Sequence, residues 1–182
     1  MGKLKLATVW LGGCSGCHMS FLDLDEWLFD LAEAVDVVYS PVADLKTFPD
    51  QVDVTLIEGA VANEEHLELL QKIRRSSRIV VSFGDCAVTG NVTAMRNPLS
   101  NSAEVVLDRA YKDGALLRPQ VPHDDGIVPP LLERVVPVHA LIEVDVFLPG
   151  CPPPAPRIRA VLQALIEGKS PELVGAEMLK AG

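Results

Sequence analysis

The chain has 182 residues, 48% of them hydrophobic and 23% charged. That is enough for the core of one full domain, and it is not a disordered composition. Sixteen basic residues against 25 acidic ones leave a formal net charge of −9, which argues against nucleic acid as the main partner because phosphate binding needs a basic face. No stretch approaches the roughly 18 apolar residues that cross a bilayer, so neither nucleic acid nor membrane is an expected partner.

Taken in chain order, Leu4 to Trp10 reads as a buried strand that ends at a glycine turn. Phe21, Leu24, Leu28, Leu31 and Val35 then fall at steps of three and four, which predicts one helix over Ser20 to Val35. Val35 to Tyr39 and Val52 to Ile57 read as the second and third strands. Asn63 is placed to cap a helix from Glu64 to about Arg74, with acids early and Lys72, Arg74 and Arg75 late. Arg78 to Phe83 is the fourth strand and Glu143 to Leu148 the fifth. A closing helix runs from Ala155 to Glu167 and stops at Gly168. Short apolar strands alternating with helices predict an α/β fold, a parallel sheet covered on both faces. The stretch 91–142 breaks the alternation with six prolines, and only one helix, Ser102 to Tyr111, stands out in it. We read it as a long irregular segment of a single domain spanning 1–182. A segment of that length is usually functional or packed on a partner, and the apolar Ile127, Val128, Leu131 and Leu132 favour a partner-facing surface.

The four cysteines are Cys14, Cys17, Cys86 and Cys151. Each lies just past the carboxyl end of a predicted strand. In an open parallel sheet that end is where ligand sites form, so cysteines distant in sequence can meet at one rim. A short N-terminal apolar run without a cleavage site, and few cysteines, point to a reducing cytoplasm. Three explanations then compete: a cubane iron–sulfur cluster, a structural zinc, and a redox Cys-x-x-Cys with two unrelated thiols. The spacings are 2, 68 and 64 intervening residues, whereas zinc sites usually pair two short knuckles. Gly12, Gly13, Gly16, Gly84 and Gly150 flank the cysteines and would let the backbone approach a bulky inorganic core. Cys17 sits near the start of the first helix, whose positive end favours an anionic group. These signals favour the cluster.

Three segments carry a family resemblance. Leu11-Gly12-Gly13-Cys14-Ser15-Gly16-Cys17-His18-Met19-Ser20, Gly84-Asp85-Cys86-Ala87-Val88-Thr89-Gly90 and Leu148-Pro149-Gly150-Cys151-Pro152-Pro153 resemble, in that order, the three cluster motifs of nickel–iron hydrogenase small subunits. Glu58-Gly59-Ala60 also matches that family. The strings Cys17 to Asp23 and Thr89 to Asn97 look closest to small subunits of the soluble, bidirectional NAD-reducing type. The resemblance implies a flavodoxin-like open sheet with one [4Fe–4S] cluster at its carboxyl-end edge, held by Cys14, Cys17, Cys86 and Cys151. It implies no catalytic residue in this chain, which would relay electrons as a subunit of a hydrogen:NAD+ oxidoreductase. The implied partners are a large subunit holding the nickel–iron centre, and iron–sulfur and flavin diaphorase subunits. Relay subunits of other cytosolic nickel–iron hydrogenases, deazaflavin- or sulfur-linked, would share the motifs, and a four-cysteine zinc scaffold is the remaining alternative.

Departures from the family pattern refine the expectation. Export-type relatives carry a twin-arginine signal and a cysteine-rich C-terminal domain. This sequence shows neither and ends 31 residues after Cys151, so one cluster is expected. The respiratory complex I homologue has adjacent cysteines in its first motif, whereas Ser15-Gly16 separates them here. FMN bound to this chain is not expected, because the loop after the first strand, which holds the phosphate in flavodoxin-like folds, carries Cys14 and Cys17. Elsewhere, His18 reads as a neighbour of the cluster rather than a ligand, and Glu58, at the same edge, either as an acceptor of a backbone bond near the cluster or a proton route toward the partner, or as a helix-capping or interface group. Arg96 reads as a surface ion pair, Asp85 as a local turn former, and Met19 and Met95 as packing residues.

Overall fold

The computed structural model describes residues 2–45, 47–175 and 178. Five strands form the main sheet: β1 (Leu4–Trp10), β2 (Val35–Tyr39), β3 (Val52–Glu58), a fourth at Ser77–Phe83 and a fifth at Val146–Leu148. Between the third and fourth lies the three-residue β4 (Val61–Asn63), and Leu131–Val136 forms β6, so Ser77–Phe83 is β5 and Val146–Leu148 is β7. All pairs in the main sheet are parallel, in the order β2-β1-β3-β5-β7. The direction of winding reverses between β1 and β3, which makes that crevice the switch point of a flavodoxin-like sheet.

The strands are apolar on both sides, and the period of two sends successive residues to opposite faces. Leu6, Leu56, Val81, Phe83 and Leu148 join one core. Ala7, Val9, Ile57 and Val80 join the other. Against the first core pack α1 (Gly16–Leu22), α2 (Trp27–Ala34) and α6 (Ala155–Ile166), the last through Ile158, Val161, Leu162 and Leu165. Against the second packs α3 (Glu64–Ser76) through Leu70 and Ile73. Full burial of a side chain such as Leu56, Ile57 or Phe83 stabilises the fold by about 1.5–3 kcal/mol, so the centre of the sheet anchors the loops that leave its end. The cap of α3 is as expected: the Asn63 side chain accepts the His66 N–H at 2.9 Å.

Two expectations need correcting. The helix predicted over Ser20 to Val35 is two helices separated by a turn, because Asp25 takes a left-handed conformation (φ 48°), and Val35 already begins β2. Leu24 and Leu31 still reach the same core, which is why their spacing imitated one helix. The stretch 91–142 also holds more regular structure than its prolines suggest. A 3-10 turn covers Asn91–Arg96, the short α4 (Asp85–Thr89) precedes it, and α5 (Ser102–Asp108) runs into a wider π-type turn at Arg109–Asp113. β6 pairs antiparallel with β4 in a separate two-stranded ribbon. Leu132 packs on the second core, while Ile127 stays exposed.

Candidate metal centre

The carboxyl ends of β1, β3, β5 and β7 meet at one rim. The loops after β1 and β3 are zipped together: Gly12 and Ala60 exchange backbone hydrogen bonds at 2.9 and 2.8 Å, and Leu11 N–H donates to the Glu58 carbonyl at 2.8 Å. That approach needs Gly59, which has φ 92° and where a Cβ would stand 2.8 Å from the Leu11 carbonyl carbon. The loops after β5 and β7 are joined in the same way. Gly84 N–H donates to the Leu148 carbonyl at 2.8 Å and Asp85 N–H to the Gly150 carbonyl at 2.9 Å. The Asp85 carboxylate accepts the Gly150 N–H at 2.6 Å. Asp85 therefore spans two cysteine loops, where the sequence suggested only a turn within its own.

All four cysteines reach this rim as free thiols, Cys17 and Cys86 buried, Cys14 and Cys151 exposed. They are near enough to act on one another electrostatically. Burial, then the Glu58 carboxylate, then the other three cysteines push the Cys17 thiol far above its usual range. Burial also raises Cys86, partly opposed by a hydrogen bond from Thr93. Thiols so placed stay protonated unless a cation draws the proton off, which a coordinating metal does outright. Gly84 keeps the space open: a Cβ there would lie 2.1 Å from Cys17 Sγ, at a φ of 84°. Among the described residues no three His, Cys, Asp or Glu side chains are grouped to hold a single metal ion. A [4Fe–4S] cubane takes four cysteine thiolates, and the four thiols at this rim, with the clearance that Gly84 leaves beside Cys17, are a donor set that fits such a cluster.

Glu58, at the end of β3, lies beneath the first cysteine loop and is almost fully buried. Its carboxylate accepts the N–H groups of Cys17 at 3.3 Å and His18 at 3.0 Å, and meets the His18 ring at Nδ1. The helix-capping role foreseen for Glu58 is therefore present. It also narrows the dipole argument for Cys17: the Gly16 N–H, first in α1, donates to Cys14 Sγ at 3.4 Å, but the next two amides already serve Glu58. His18 packs edge-on against Phe83. Ser20 Oγ donates to the Pro153 carbonyl at 2.6 Å and ties α1 to the Cys151 loop, and the buried Arg157 donates to the Pro149 carbonyl at 2.8 Å.

Arg96 is not a surface ion pair. Its guanidinium donates to Ser102 Oγ at 2.6 Å and to the Glu133 carbonyl at 3.0 Å, and also reaches the Leu132 carbonyl, so it ties the Asn91–Arg96 turn to the ribbon. Met19 and Met95 are exposed rather than packed inside. With Trp10 and Val92, also exposed, they give the chain an apolar surface on elements that adjoin the cysteine loops.

A family model described as NADH ubiquinone oxidoreductase, 20 Kd subunit, matches residues 14–165. The chain is 40% identical over 173 residues to the delta subunit of the NAD-reducing hydrogenase HoxS of Cupriavidus necator, an alignment covering 92% of this chain and 81% of that protein. It is 39% identical over 179 residues to a subunit of the F420-non-reducing hydrogenase of Methanothermobacter marburgensis, covering 94% of this chain but only 56% of that relative. A chain from the crystal structure of an NAD+-reducing [NiFe]-hydrogenase in the H2-reduced state matches with a TM-score of 0.92 and 41% identity over 100% of both chains. A chain of the [NiFeSe]-hydrogenase of Dm. baculatum matches at a TM-score of 0.57 and 16% identity, over 96% of this chain and 68% of its own, and shares the fold alone. Matched over most of its length, this chain belongs to the NADH ubiquinone oxidoreductase 20 Kd subunit family and is a homologue of hydrogenase subunits.

Proposed function

We propose that this chain is the electron-transfer small subunit of a cytoplasmic NAD-reducing nickel–iron hydrogenase. The observation that carries this reading is the convergence of Cys14, Cys17, Cys86 and Cys151 at the carboxyl-end rim of the sheet, supported by the match over full length to a chain of an NAD+-reducing [NiFe]-hydrogenase. The four thiolates would hold one [4Fe–4S] cluster. When bound, it supplies a one-electron relay between the nickel–iron centre of a large subunit, where H2 is split, and iron–sulfur and flavin subunits that reduce NAD+.

The residues of this chain do the holding and shielding. Cys17 and Cys86 are buried, and Cys17 joins Phe83 in the first core, which excludes water from that side. Cys14 and Cys151 face outward, and the exposed Trp10, Met19, Val92 and Met95 supply apolar surface for a large subunit to dock over them. The stretch 91–142 is a second partner-facing candidate, through the exposed Ile127. Glu58 holds the Cys17 amide in place, and Asp85 locks the Cys86 and Cys151 loops together. FMN is assigned to the flavin subunit, because Cys14 and Cys17 fill the loop after β1. No helix among the described residues is long and apolar enough to cross a membrane.

Anaerobic purification with native partners should yield H2-dependent NAD+ reduction together with a nickel-containing subunit. The nearly equal identity to a subunit of an F420-non-reducing hydrogenase supports a second reading, a relay in a hydrogenase with another acceptor. Activity with other acceptors but not NAD+ would select that reading, and absence of any H2 oxidation by the intact complex would refute both.

A further inference from the structure

The Asn91–Arg96 turn borders the rim and places a polar side chain against one exposed thiol. Asn91 Nδ2 lies 3.4 Å from Cys151 Sγ, and Asn91 adopts φ 36°. A non-glycine residue in that region is strained and persists only where its surroundings enforce it. They do so here from both sides. Thr89 Oγ1 donates to the Asp85 carbonyl at 2.8 Å and accepts the Asn91 N–H at 3.3 Å. Gly90 N–H donates to the Cys86 carbonyl at 2.9 Å. Downstream, Arg96 binds β6 as described, and Asn97 bonds Val135 in both directions, each at 2.8 Å.

None of these bonds is needed to bring the cysteines to the rim, which the loops after β1, β5 and β7 already do. What they fix is the direction of one carboxamide. Turned the other way, the Asn91 amide would aim an acceptor oxygen at a thiolate, which is repulsive, so the donor orientation is the stable one once Cys151 is ionised.

We propose that Asn91 is a positioning residue that raises the reduction potential of the cluster by donating a hydrogen bond to the Cys151 thiolate, and that the β4–β6 ribbon holds it there. The inference rests on the cluster reading of the preceding subsection. Reduction adds negative charge that is shared with the cysteine sulfurs, so a donor at sulfur stabilises the reduced state more than the oxidised one.

The test is an EPR-monitored redox titration of the complex, purified anaerobically with its native partners. Asn91→Gly keeps the left-handed backbone at no steric cost and removes the donor. Asn91→Asp keeps the shape and replaces the donor with an anionic acceptor. Asn91→Gly should lower the reduced-to-oxidised ratio at fixed potential by up to about tenfold, equivalent to about 59 mV for a one-electron couple, and Asn91→Asp should lower it further. The signals of other clusters in the complex should stay in place. Variants that keep the signal and titrate with the wild type overturn the inference alone, as does a variant that loses the cluster altogether, which would assign Asn91 a structural role. A wild-type complex in which no iron–sulfur signal belongs to this chain overturns the function reading and this inference with it.

Discussion

Cys17 and Cys86 are buried, whereas Cys14 and Cys151 are exposed, and the two pairs are held by different means. The inner pair lies in the first turns of the short helices that follow β1 and β5, at the ends of strands with largely buried interiors. The outer pair sits in loops fastened by side chains from elsewhere: Thr93 on the Gly12 carbonyl before Cys14, and Asp85 on the Gly150 N–H, Ser20 on the Pro153 carbonyl and Asn91 on Cys151 itself. The rim therefore has a protected side, set by hydrophobic packing around the buried Glu58, and a contact side, set by polar braces at the surface. Substitutions on the first side should cost stability and cluster together. Those on the second should loosen or tune the cluster while the core survives.

The most damaging change should be Gly84→Ala on the inner side. Its Cβ would fall 2.1 Å from Cys17 Sγ at φ 84°, adding a clash to backbone strain of about 1–3 kcal/mol. Urea unfolding should show a loss of that size or more, and the purified complex should retain almost no iron on this chain. Glu58→Ala comes next. It leaves the buried Cys17 and His18 amides without their acceptor, at a cost of roughly 2–4 kcal/mol, and Glu58→Gln, which keeps an acceptor oxygen, should recover part of it in the same assay.

On the outer side, Asp85→Ala should cost about 1.5–3 kcal/mol through the lost charged bond to Gly150. Its mark should be faster iron loss to a chelator, with the near-UV circular dichroism of the core unchanged. The smallest effect lies away from the rim. Partial burial alone would raise the Asp145 carboxyl, but the Arg74 guanidinium and the Val80 N–H outweigh it and hold that carboxyl below its usual range. A depressed carboxyl contributes stability that is present above the unfolded value of about 3.9 and lost as pH falls through the folded one. Asp145→Asn should therefore flatten the acid limb of the stability curve below about pH 4. The change should be at most about 1 kcal/mol, since both partners of the ion pair are partly exposed.

The inner side was legible in the sequence because its signals are local. Apolar runs such as Val52 to Ile57 mark buried strands, and a cysteine beside glycine after each of three strands marks a rim. The braces were not legible. Asp85 reaches Gly150 and Arg96 reaches Glu133 across 65 and 37 positions, and no period or spacing encodes such a bond. Glu58 was singled out by its place at a strand end, but its hold on His18 depends on how α1 turns over β3. β4 is only three residues long and its partner follows Pro129-Pro130, so neither strand offers a run long enough to register. The break at Asp25 escaped because Leu24 and Leu31 face one core with or without a continuous helix.

Whether the four thiolates hold a cubane is decided by a count of iron and acid-labile sulfide on this chain, purified without oxygen together with its partners. About four of each per chain are expected, all lost together when Cys17 or Cys86 is replaced by serine. About one zinc per chain with no sulfide, or a full iron and sulfide count in the Cys17→Ser protein, would contradict the cubane.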